Sequence, residues 1–160
     1  MRPRILSSRV DLGSEPKKME LGEEVLRVVF HAGNVSLDVR KVKGELLVGN
    51  NQVWLHQDQA QKVSGGISGY DLRELVRRRR TMNGNILDFI LAHPEFSPEK
   101  WLGWKGAILF FGTIYADQEG NEYVRAITRN RSEESETQPW YESLFRLDSM
   151  LGSGVKLAMR

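Results

Sequence analysis

Five arginines make up the densest chemistry in this sequence. "DLRELVRRRR" (71–80) brings Arg73, Arg77, Arg78, Arg79 and Arg80 up to the most apolar segment of the chain, "NILDFILA" (85–92). A guanidinium is permanently charged, and its planar fork of donors fits phosphate and carboxylate oxygens. On a helix, Arg73, Arg77 and Arg80 would share one face at spacings of four and three, with Arg78 and Arg79 pointing elsewhere. Two roles are open to such a cluster. It can grip an acidic partner, nucleic acid above all. It can also simply finish a helix, because each cation near a helix C-terminus offsets the dipole by about 0.3–1 kcal/mol. Nucleic-acid binders usually set aromatics among their cations, and none lies between Tyr70 and Phe89. The helix-end role therefore comes first in this reading.

The tryptophans are the second candidates. "EKWLGWKG" (99–106) places Trp101 and Trp104 around a glycine, and "QPWYESLF" (138–145) sets Trp140 and Tyr141 beside a charged loop. Tryptophan is usually core, yet an exposed one anchors partners well. Trp101, Trp104, Trp140 and Tyr141 are thus the candidate protein interface, with one of the first pair packing inward.

Other motifs offer less. "SGGISG" (64–69) precedes a helix and matches the form of a KH-type glycine clamp, but no Gly-Lys-Ser/Thr ending follows, so a structural turn is expected. His31, His56 and His93 are far apart and form no i,i+4 ligand pair; no metal and no cofactor is expected. Asp88, inside the apolar segment, is either a buried acid or, three residues after Asn85, part of a helix cap; the cap is preferred. No nucleophile elbow, dinucleotide fingerprint or zincin motif occurs, so no enzymatic activity is expected.

These residues need elements to position them. Residues 1–22 lack periodicity and read as an extended or poorly ordered arm, ahead of one domain over 23–160. "EVLRVVF" (24–30) suits a strand or one helical face. "VSLDVRKV" (35–42) alternates with period two and, through Lys43-Gly44, returns as "ELLVGNNQVWLH" (45–56), an antiparallel meander. Ser68 and Asp71 mark a helix start. Asn85 and Asp88 mark a second, buried helix that Pro94 stops. Ser97, Pro98 and Glu99 mark a third. "AILFFGTIY" and "NEYVRAIT" flank "ADQEG" as a hairpin with a central first strand. "RNRSEESETQP" (129–139) is a charged loop. In "WYESLFRLDSML" (140–151), Trp140, Leu144, Leu147 and Leu151 stand at helical spacing. The expected fold is a single α+β domain, a mostly antiparallel sheet with two to four helices packed against it.

Composition sets the outer bounds. The chain has 160 residues, 40% hydrophobic and 28% charged, with no cysteine. That suits one globular domain in a reducing compartment, and excludes disulfides and thiolate chemistry. No apolar run approaches a membrane span and the start does not resemble a signal peptide, so the expected location is the cytoplasm. Net charge is +2, unevenly divided: +5 over residues 1–80 and −3 over 81–160.

The stretch from Leu72 to Arg125 resembles a known set of sequences. "DLRELV", "NGNILDFILAHPEFSPEKW" and "FFGTIYADQEGNEYVR" are similar to an ELRxEL helix, a NANVLDxLLAHPxxIPEEW segment and a FFWGTIYRDSDGxLYVR hairpin. These three mark uncharacterised small proteins of uncultured bacteria and their mobile elements. The likeness covers roughly a third of the chain and implies no activity. Several of those proteins continue into a hypervariable Trp/Asn-rich tail suited to binding. Here the chain departs after Arg125, retaining only a C-terminal third that would face a partner. The first functional expectation is therefore a non-enzymatic module that self-associates or binds a protein. The second is a nucleic-acid-binding accessory protein using the arginines. The third is an enzyme whose residues converge only in the fold.

Overall fold

Ten consecutive buried residues, 107–116, form the strand around which the chain is organised. In the computed structural model, residues 5–130 and 137–160 are described. The strands are β1 (Leu6–Asp11), β2 (Met19–Leu21), β3 (Glu24–His31), β4 (Ser36–Val42), β5 (Glu45–Val48), β6 (Asn51–Gln52), β7 (Trp54–His56) and β8 (Ile67–Ser68). Helices α1 (Gly69–Val76), α2 (Gly84–Ala92) and α3 (Glu99–Leu102) follow. The chain closes with β9 (Ala107–Ala116), β10 (Glu122–Arg129), β11 (Trp140–Arg146), β12 (Met150–Leu151) and β13 (Val155–Met159). The class is α+β, dominated by sheet.

The main sheet runs β11-β10-β9-β13-β7. One side of β9 pairs with β10. Its other side is shared: β13 lies parallel to Ala107–Leu109, and β3 lies antiparallel to Thr113–Ala116. Gly112 sits where the neighbour changes. Its N–H donates to the Met82 carbonyl at 2.9 Å, and a Cβ there would lie 2.7 Å from the Asn83 backbone. That close approach explains a glycine inside the most apolar strand. A second sheet, β1-β4-β5-β6, turns through Lys43 and Gly44, both at positive φ as a tight hairpin requires.

The sheet is covered on both faces. Ile108, Phe110 and Ile127 meet α2, which is sandwiched between the main sheet and Val39, Leu46 and Val48 of the second. Leu109, Phe111 and Ala126, on the opposite face, meet Leu72 and Val76 of α1. Burial on both faces is why β9 reads as continuous rather than alternating apolar sequence.

Several expectations need correction. Beyond residues 1–4, which lie outside the described residues, the N-terminal arm is extended but built into the fold: Leu6–Asp11 pairs with β4, and Val10 and Leu12 are buried. Segment 24–30, open between a strand and a helical face, is strand. The 35–56 meander divides, because its last piece, β7, crosses to the main sheet and pairs with β13. The helix expected over 140–151 is instead β11, a turn and β12. Helix α2 is capped by Asn83, not Asn85, and α3 begins after Pro98 with no side-chain cap, in place of the expected Ser97 cap. Of the charged loop 129–139, residues 131–136 lie outside the described residues.

The Asn83 cap ties three segments together. Its Oδ1 accepts from the N–H groups of Asn85 (3.0 Å) and Ile86 (3.3 Å). Its Nδ2 donates to the carbonyls of Leu12 (3.0 Å) and Ala32 (2.6 Å). Asn83→Ala removes a cap and strips buried backbone groups of partners, so a loss of about 2–4 kcal/mol is expected. Urea denaturation at unchanged m would measure it; a loss within error would show water replacing the amide.

Candidate functional site

Helix α1 begins at Ser68, whose hydroxyl accepts from the Asp71 N–H at 3.1 Å. It ends at Val76 because the chain must turn there to cross the sheet. Arg79 N–H donates to the Val76 carbonyl (2.8 Å), and Met82 N–H donates to Ala158 on β13 (3.0 Å). Consequently only Arg73 lies in the last helical turn and Arg77 is the C-cap. Arg78, Arg79 and Arg80 leave the helix, so the single helical face expected for Arg73, Arg77 and Arg80 does not form. The helix dipole acts over the last turn and gives no reason for the three that follow.

The run faces two contiguous hollows. The larger, about 570 Å³, is lined by Arg73, Arg77 and Arg78 together with Phe30, Tyr70 and Phe111. Arg73 lies over the Phe30 ring at 5.1 Å from its centroid and bridges Glu122 at 3.2 Å. Phe30, Arg77 and Thr81 also line the smaller hollow, about 250 Å³, with Arg79, Arg80 and Arg160. No aspartate or glutamate among the described residues lines that one. The Arg160 guanidinium is held below its ordinary value, by burial first and by the charge of Arg80 second. The Arg160 N–H donates to the Arg80 carbonyl at 2.9 Å, which keeps the two residues together. Arg77 meets Glu74 in an exposed bridge, and Arg79 reaches His56. Arg78 and Arg80 make no ion pair among the described residues.

The aromatics missing from the run in sequence are thus present beside it in space. Phe30 comes from β3 and Phe111 from β9, and both Phe30 and Tyr70 are exposed. The only sequence clue was the apolar "VVF" of a strand that also shows Val28 and Val29 to solvent.

The tryptophan candidates separate. Trp101 is core, edge-on to Phe110. Trp140 is also buried, donating Nε1–H to the Ser97 hydroxyl at 2.8 Å. Neither presents a surface to a partner, because the contacts of each are filled from within. Trp104 is half-buried, with the Lys156 ammonium 4.2 Å from its ring centroid, and Tyr141 is exposed. Trp104 and the exposed Trp54 line a separate groove of about 450 Å³ with Lys100 and Lys156. Of the C-terminal third, expected to face a partner, β13 and Trp140 are interior, whereas Tyr141 and Met150 are exposed and Arg160 lines the smaller hollow.

Asp88 neither caps α2 nor stands alone. Arg125 is buried, donates through Nη1 and Nη2 to both Asp88 oxygens, and donates through Nε to Glu142 (2.7 Å). Burial lowers the Arg125 pKa, but the two carboxylates outweigh it and leave the guanidinium above its ordinary value. This triad clamps α2 to β10 and β11. The depression beside it, with Asp11, Glu15, Lys17 and His93, is shallow and encloses nothing. His31 is occupied by the Thr113 hydroxyl (2.8 Å) and the Leu12 carbonyl (2.9 Å). The "GISG" loop closes structurally: Ile67 and Ser68 pair with β12, and Gly66 packs on the Leu151 backbone.

No helix among the described residues is long and apolar enough to cross a membrane. Comparison with known proteins finds no family model that matches the chain, and no match among curated proteins or solved structures.

Proposed function

We propose that the protein binds single-stranded nucleic acid, as a non-catalytic cytoplasmic accessory protein, through the hollows that flank Phe30. One observation carries the reading: a hollow lined by Arg77, Arg79, Arg80 and Arg160, and by no aspartate or glutamate among the described residues, shares Phe30 and Arg77 with an aromatic-lined one. Guanidiniums take phosphates, and exposed rings take bases, whose faces are free only in a single strand. A solvated helix end would need no aromatic neighbours and would leave Arg160 unexplained. The test is binding of a short single strand and of its duplex, followed by anisotropy across a salt series. Single-strand affinity should exceed duplex affinity and fall with a slope of about −0.7 per phosphate neutralised. Absence of binding at low salt, or salt-insensitive binding, would overturn the proposal.

A second reading, a protein-interaction or self-association module, is supported by the groove between Trp54 and Trp104. It predicts that a complex or oligomer, seen as solution mass by light scattering, is lost in Trp54→Ala and Trp104→Ala and kept when the arginines are replaced. A monomer that captures no protein counts against it.

A further inference from the structure

The two hollows differ in a way that specifies the ligand further, granted the single-strand reading. The larger mixes Arg73, Arg77 and Arg78 with Glu74 and three aromatic rings. An internal phosphodiester, with one negative charge, suits such partly neutralised surroundings. The smaller is lined by Arg77, Arg79, Arg80 and Arg160 around about 250 Å³, with no acidic side chain among the described residues. Its other lining residues, Asn83, Thr81 and Phe30 among them, are uncharged and offer no counter-charge. Arg77 is already paired with Glu74, but Arg79, Arg80 and Arg160 still exceed what one monoanion needs. A phosphate monoester carries about −1.5 to −2 charges at neutral pH and three acceptor oxygens, and so balances them better.

We infer that the Arg77–Arg79–Arg80–Arg160 hollow holds the terminal phosphate monoester of a single strand, with the adjoining nucleoside stacked at Phe30. Phe30 lines both hollows and Arg77 reaches both. A phosphate in the smaller therefore places the next group beside the ring. Arg80 and Arg160 are held together against their repulsion by a backbone hydrogen bond, and a dianion between them relieves that repulsion.

The experiment is calorimetric titration with one unlabelled seven-nucleotide strand in three forms: 5′-phosphate, 3′-phosphate, and hydroxyl at both ends. Free mononucleotide is the fourth ligand, and Arg80→Gln/Arg160→Gln is the variant. One phosphorylated end should bind roughly tenfold tighter than the hydroxyl-ended strand, the order of one charge-assisted hydrogen bond set. The variant should lose that advantage while still binding the hydroxyl-ended strand. Equal affinities for all three strands, or an advantage that persists in the variant, would overturn the inference and leave the single-strand reading standing. A mononucleotide that binds as tightly as the phosphorylated strand would replace the strand end with a small-molecule site. If no strand binds even at low salt, the proposed function falls and this inference with it.

Discussion

Arg77→Gln/Arg78→Gln/Arg80→Gln is expected to lose single-strand binding by about a hundredfold, taking each exposed guanidinium–phosphate contact as about 1 kcal/mol. The salt slope should shrink as well, by about 0.7 for each phosphate contact removed. For the wild type, three neutralised phosphates would give a slope near −2, so a fourfold rise in salt would weaken binding roughly fifteen- to twentyfold. The fold should survive. All three side chains are exposed, and the one ion pair broken, Arg77 to Glu74, is solvent-facing; such bridges contribute about 0–1 kcal/mol. Glutamine keeps a polar, uncharged side chain at these exposed positions, so lost binding would report charge rather than unfolding. Lys156→Gln, in the tryptophan groove, is the control that should change nothing. A triple variant that binds like the wild type, with the same slope, would return the arginines to the role of a solvated turn.

The second large effect concerns stability. Arg125→Met should cost about 3–5 kcal/mol, because removing one member of a buried ionic group strands the others. Asp88 and Glu142 would then face each other across the space the guanidinium filled, α2 would lose its charged tie to the sheet, and Tyr115 nearby would lose the cation that opposes its burial-driven shift. The measurement is the denaturation midpoint. A combined Arg125→Met/Asp88→Leu/Glu142→Leu variant should recover much of the loss, since apolar replacement of a whole buried group is often neutral or favourable. Loss smaller than about 1 kcal/mol in the single variant would mean that water reaches the two carboxylates.

Local physics was readable from the residues alone. The continuous apolar run of β9, the hairpin through Asp117–Gly120, the Ser68 cap and the Pro94 stop depend on neighbours within a few positions. Sequence therefore determined an α+β class with a mostly antiparallel sheet and a buried helix after the arginines. Segment 140–151 was different. Read with period two, Trp140, Glu142 and Leu144 all point inward, but a glutamate at an inward position disguises a strand. Only Arg125, seventeen positions earlier in the chain, makes that glutamate an interior residue. Helical spacing of the leucines fitted equally well, and pairing with β10 decided between them.

The candidate site divides along the same line. Sequence located its charge, because five arginines within eight positions need no partner to be noticed. It could not locate the rest. Phe30, Phe111 and Arg160 come from positions far from the run, and the crossing of the chain between β13 and β3 brings them together. The same crossing ends α1 at Val76 and so releases Arg78 to Arg80 from the helix. Spacing along a chain records which side chains share an element. Which elements share a hollow is set by the packing of a strand buried on both faces, and that is a property of the assembled sheet.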